Sequence, residues 1–136
     1  MTPTSWLFLG AAAVLSLGVW GITVSSAHVG MIGAAPFALL LALSLWGLAG
    51  WSLLLALTMT LRVWILGQLH FSLVWWAFVF PMSAYVLDSR TMAAASHASW
   101  LYQFSDGLLV LLFLFFLIVA VKTVMGLITG RLFRQA

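Results

Sequence analysis

Two aspartates, Asp88 and Asp106, are the only side-chain carboxylates in this chain, beside three histidines (His28, His70, His97) and five cations (Arg62, Arg90, Lys122, Arg131, Arg134). Hydrolytic acid–base work needs such groups to converge on one point. Here both aspartates fall near the ends of apolar runs. Asp106 suits a helix start, and Asp88 suits an interface where Arg90 pairs loosely with it. No Ser-His-Asp arrangement, phosphate-cradling glycine loop or dinucleotide fingerprint is present. Cysteine is absent, which excludes disulfides, thiolate metal sites and cysteine nucleophiles. A bis-imidazole haem would need two histidines facing each other at one depth. His28 and His97 lie in connections on one side and His70 on the other, so neither a cofactor nor a metal is expected, and the chain is expected not to be an enzyme.

The chemistry left is that of passage through a barrier, and it concentrates between Phe71 and Asp88, FSLVWWAFVFPMSAYVLD. In a helix, Leu73, Trp76, Ala77, Phe80, Ala84 and Leu87 recur at steps of three or four and share one face. At ~1.5 Å per residue Phe80 is placed ~12 Å past Ser72, close to the middle of a ~30 Å hydrocarbon layer. Pro81 has no N–H for the carbonyl of Ala77, and its ring crowds that turn, so a bend is expected beside Phe80. An aromatic ring at a bend deep in the bilayer fits a hydrophobic gate. Ordinary packing by Phe80, with Pro81 as a structural kink, accounts for the same residues, and at this level both readings stand.

The elements that must hold these residues follow from composition. Hydrophobic residues make up 65% of the 136 positions and charged residues 5%, with a mean hydropathy of +1.23. A water-soluble domain of this size has no interior large enough for that much apolar surface, whereas a helical membrane bundle does. The expected fold is therefore all-α and integral to the membrane. Four transmembrane helices form a single bundle, with spans at about 6–24, 36–61, 72–91 and 106–127. Pro36 suits a first turn. The small residues Ser25, Ser26 and Ala27 resemble a signal-peptidase site. However, no Lys or Arg precedes the first run and that run is too long for a signal h-region, so it is expected to remain as a span. An even number of spans puts both termini on one side. Arg62, Lys122, Arg131 and Arg134 collect there, which places both termini in the cytoplasm of a cell membrane. The net charge of +3 then reflects orientation, and no nucleic-acid partner is expected. Arg62, Lys122 and Arg131 stand at the cytoplasmic mouth or act as interfacial anchors.

Trp75-Trp76-Ala77-Phe78-Val79-Phe80-Pro81 resembles the aromatic signature of the tellurite-resistance and C4-dicarboxylate transporter family, which includes the slow anion channels of plant guard cells. Arg62 ahead of the signature and a final apolar span leading through Lys122 to Gly130-Arg131-Leu132-Phe133 agree in order and spacing. Members of that family have ten helices in five hairpins around a central pore, often as trimers. The resemblance implies that the four spans here, as two hairpins, correspond to helices seven to ten. It further implies that the first and third spans line the conduit, that Phe80 is the gate and that Pro81 is the helix-bending residue. Trp76, Ala77 and Ala84 are then pore-facing candidates on the third span, with Gly10 and Gly18 on the first. Gly10, Gly18 and Gly21 permit close helix approach or local unwinding.

Nothing in this chain resembles the family's first six helices. Closing a pore is therefore expected to need a separate N-terminal transporter part or a homo-oligomeric ring, with membrane lipid around it and a small anion as substrate. The competing function class is a non-conducting membrane subunit that anchors or stabilises a partner through its aromatic and glycine surfaces.

Overall fold

Hydrocarbon offers no hydrogen bonds, so a chain crossing it must satisfy its backbone within each segment. The computed structural model describes residues 3–27, 33, 35–67 and 75–129. They form four α-helices: α1 Pro3–Ala27, α2 Ala35–Ile65, α3 Trp76–Ser96 and α4 Ser99–Ile128. Among the described residues α1, α2 and α4 are long and apolar enough to cross a membrane, which makes this a multi-pass membrane protein. Their outer surfaces carry large exposed apolar side chains such as Phe8, Phe37, Trp51, Val110 and Val124, as lipid contact requires and water would penalise.

The observed ends depart from the expected ones where polar residues intervene. The helix of α3 starts at Trp76 and runs to Ser96, carrying Asp88 and Arg90 within it. These residues leave it outside the group of three strongly apolar helices. α4 starts at Ser99, so Asp106 lies inside the helix and not at its N-terminus. The chain reverses between the two helices in only two residues. His97 caps α3 in the left-handed conformation (φ 54°) and Ala98 is extended, after which Leu101 N–H bonds the Ala98 carbonyl at 3.1 Å. Histidine is among the few non-glycine residues that enter this region with any frequency.

Cross-helix contacts fix directions. Trp6 Nε1 donates to Thr60 Oγ1 at 3.2 Å, and Ser16 Oγ lies 2.9 Å from the Ala42 carbonyl, so α1 and α2 run antiparallel. Trp6 meets Phe78 (ring centroids 5.1 Å apart) and Ser16 meets Asp88, so α1 and α3 run parallel. Trp76 Nε1 reaches Thr123 Oγ1 at 3.2 Å and Arg90 reaches Asp106 at 2.8 Å, so α3 and α4 run antiparallel, as their two-residue turn demands.

The α1–α2 seam is made by small side chains at heptad spacing. Ala42, Ala49 and Ala56 of α2 are fully buried, as are Leu9, Ala13 and Ser16 of α1. Side chains of this size let two backbones approach where no hydrophobic effect drives them together. α2 reaches α3 through Trp46, which stacks on Tyr85 (6.0 Å, 20°) and donates from Nε1 to Ser89 Oγ at 2.9 Å. Gly50 makes room for Tyr85: a Cβ there would stand 2.7 Å from the phenol oxygen, and the buried, stacked ring has no free direction in which to yield. Gly50→Ala is therefore expected to destabilise the bundle by about 1–3 kcal/mol through overpacking. Gly47→Ala, with nothing within 4 Å of its added Cβ, is expected to be neutral or stabilising. Denaturant titration of both variants in mixed micelles measures the difference.

Candidate functional site

Along α3 the outward positions follow a helical stripe. Phe80 is 69% exposed and Leu87 58%, and Trp76, Arg90 and Ala94 continue the same open face. Phe78, Pro81, Met82, Tyr85, Asp88, Ser89 and Met92 are buried on the other side. Phe80 and Pro81, adjacent in sequence, therefore point about 100° apart. Pro81 turns into α1, where the absence of a side chain on Gly10 admits its ring. A Cβ on Gly10 would lie 3.2 Å from Pro81 Cβ. A ring without an N–H thus occupies the close approach between helices, and the neighbouring aromatic is left outside it.

The other residues expected to face a pore separate into two groups. Gly10 is buried in the α1–α3 contact and does not share an open face. Gly18 does, on a stripe of α1 that also carries Leu7, Ala11, Val14 and Gly21, and nothing lies within 4 Å of where its Cβ would be. Ala84 is half-buried at the edge of the α3 stripe, packed against the core that contains Tyr85 and Met82. The Ala77 side chain and Arg131 lie outside the described residues, as do His28 and His70. Arg62 is exposed near the end of α2. The Lys122 ammonium stands 5.6 Å from the Trp75 ring centroid, beside an apolar cavity of about 400 Å³ between α2 and α4 bounded by Leu57, Leu61, Phe115 and Ile118. His97 lies exposed in the α3–α4 turn. Among the described residues no group of three metal-ligating side chains comes together.

Position along the helices separates Phe80 from Asp88. Phe80 is four residues, roughly 6 Å, into α3, at the level of Trp6 and Gly10 near the start of α1. Near the middle of α3 stands Asp88. It is fully buried, and its Oδ1 lies 2.8 Å from the hydroxyl of Ser16, midway along α1. The pairing expected between Asp88 and Arg90 is absent, because Arg90 lies on the open face and bonds Asp106 at 2.8 Å. One spacing signal pointed to the buried site: Pro81, Tyr85, Asp88 and Met92 recur at helical steps, so Asp88 belongs to the face that Pro81 turns inward. Its closeness to Arg90 in sequence pointed the other way. Asp88 Oδ2 and Ser105 Oγ are buried without a hydrogen-bond partner, and Ser16 Oγ is shared between Asp88 and the Ala42 carbonyl.

Residues 1–124 match the voltage-dependent anion channel family. The chain belongs to that family. It is the one to which the Trp75–Pro81 signature points. Two curated relatives, both uncharacterized transporters of Methanocaldococcus jannaschii, are 30% identical over 142 residues and 27% identical over 143. The alignments cover 98% and 99% of this chain but only 38% and 39% of the relatives, so the chain spans less than two-fifths of their length. No solved structure matches it. For this voltage-dependent anion channel family member, the geometry separates an outward aromatic face on α3 from a polar tie between α1, α2 and α3.

These two features differ in energetic weight. Ser16→Ala removes the hydroxyl that both Asp88 and the Ala42 carbonyl use, and is expected to cost about 1–3 kcal/mol of stability. Asp106→Asn breaks an exposed ion pair and is expected to cost less than about 1 kcal/mol. Unfolding curves of the two variants under one set of conditions give the comparison.

Proposed function

We propose that this chain is the C-terminal part of an anion-transporting membrane protein, and that its four helices correspond to helices seven to ten of a ten-helix, five-hairpin channel. Antiparallel contact within α1–α2 and within α3–α4, with α1 and α3 side by side and parallel, supports two successive hairpins of the same kind. On this reading α1 and α3 line the conduit through their open faces, α2 and α4 lie outside them, and a small anion passes Phe80. A separate N-terminal transporter part or further copies of the chain complete the wall. Clustering of Arg62, Lys122, Arg131 and Arg134 supports cytoplasmic termini, with these cations at the inner mouth.

The observation that carries the reading is the opposed placement of neighbours: Pro81 is buried against Gly10, whereas Phe80 is 69% exposed. A residue that only fills the bundle core would lie on the buried face of α3, as Phe78 and Met82 do. An outward ring held by a rigid helix beside it obstructs any narrow path along that face, and an anion must shed water to pass it. Residence at such a constriction depends on dehydration more than on a tight binding cage.

Phe80→Ala in the assembled protein is expected to raise anion conductance. A barrier lowered by about 1.4 kcal/mol corresponds to about tenfold in rate. Patch recording or liposome flux, normalised to the amount of protein in the membrane, reads the effect. Unchanged current at normal protein levels defeats the gate.

A further inference from the structure

The Ser16–Asp88–Ala42 tie is short of hydrogens. Asp88 Oδ1 lies 2.8 Å from Ser16 Oγ, Ser16 Oγ lies 2.9 Å from the Ala42 carbonyl oxygen, and Asp88 Oδ2 is buried without a partner. Four oxygens therefore converge with a single hydrogen among their side chains, that of the Ser16 hydroxyl. If it bonds Asp88 the Ala42 carbonyl loses it, and if it bonds Ala42 both carboxyl oxygens go unserved.

Among the described residues no cation compensates at this place. Within the described part of α1 between Trp6 and Ser26 there is no titratable side chain. α2 presents the Ala42 carbonyl, and its Arg62 stands near the far end of the helix. On α4, Asp106 is engaged by Arg90 on the open face, and Lys122 lies toward the opposite end beside Trp75. On α3 itself the near titratable neighbour is Tyr85, a neutral acid one turn back whose interaction with Asp88 is repulsive were both ionised. A buried charge without a facing cation is the costly arrangement in a protein interior.

We infer that Asp88 is a proton-binding site. One proton from water on its carboxyl group supplies the missing hydrogen: the acid O–H donates to Ser16 Oγ, and Ser16 O–H donates in turn to the Ala42 carbonyl. Both short distances become donated bonds, and the oxygen left over is that of a neutral acid. The bound proton joins the middle of α3 to the middle of α1 and to α2 about two turns from its start, seven residues along α3 from the Gly10–Pro81 contact that sets Phe80 outward. Its release leaves a charge that must draw a new donor, such as water, into this seam. This goes beyond the transport reading and does not depend on which anion is carried.

Infrared spectroscopy of the full chain in lipid at neutral pH tests it. A carbonyl stretch of a protonated carboxylic acid is expected. It should vanish completely in Asp88→Asn, persist in Asp106→Asn and shift upward in frequency in Ser16→Ala, which removes the acceptor. Wild-type unfolding should depend on pH over the range in which the band disappears, and unfolding of Asp88→Asn should not. Absence of the acid band from folded wild-type protein overturns the inference, as does a band that survives Asp88→Asn. If Asp88→Asn does not fold, the Ser16→Ala shift decides: a band unmoved by loss of that hydroxyl places the proton elsewhere.

Discussion

Polar atoms inside a bilayer can find partners only within the protein, and this constraint orders the whole bundle. Many Leu, Phe and Val side chains point outward along α1, α2 and α4, while polar groups point inward and meet in pairs, the hydroxyl of Ser16 with the carboxyl group of Asp88 and the indole N–H of Trp46 with the hydroxyl of Ser89. Helices that pair in hydrocarbon gain nothing from hiding apolar surface from water. What holds α1, α2 and α3 together is close packing of small residues and this set of inward hydrogen bonds.

Packing and polarity also work through one another. The heptad alanines of α2 bring its backbone near enough for the Ala42 carbonyl to reach Ser16, and Gly10 brings α1 near enough to Pro81 for Asp88, seven residues further along α3, to reach the same serine. Two indoles fasten one end of the arrangement: Trp6 ties α1 to α2 through Thr60, and Trp76 ties α3 to α4 through Thr123. The outward direction of Phe80 results from these inward contacts, because the helix that buries Pro81, Tyr85 and Asp88 has no rotation left that would bury Phe80 as well.

Much of the helical plan was legible in the order of residues. Long uncharged runs have one stable form in lipid, and the heptapeptide ending in Phe80 and Pro81 pointed to the right family. The positions of charge were misleading. Asp106 resembles a helix start because acidic residues favour that end of a helix, yet the reversal at His97 and Ala98 moves the start of α4 seven residues earlier. Asp88 resembles an interfacial residue because Arg90 is near it in sequence, yet two residues along a helix is about 200° around it, and the two side chains part. Ser16 gave no signal at all. A single serine in an apolar run acquires meaning only when a partner from another helix is placed opposite it.

The short link between α3 and α4 also bears on how the chain enters a bilayer. A charged side chain carried alone to the centre of a membrane helix costs about 2.5–3.5 kcal/mol during insertion, and α3 bears both Asp88 and Arg90. With only two residues between the helices, α3 and α4 form a tight hairpin whose two arms can enter the lipid as a unit. Arg90 and Asp106 meet within that hairpin, so their charges are neutralised before any other helix is needed. The least apolar helix is thereby joined directly to the most apolar one, and the pair presents to lipid a hairpin less costly than α3 alone.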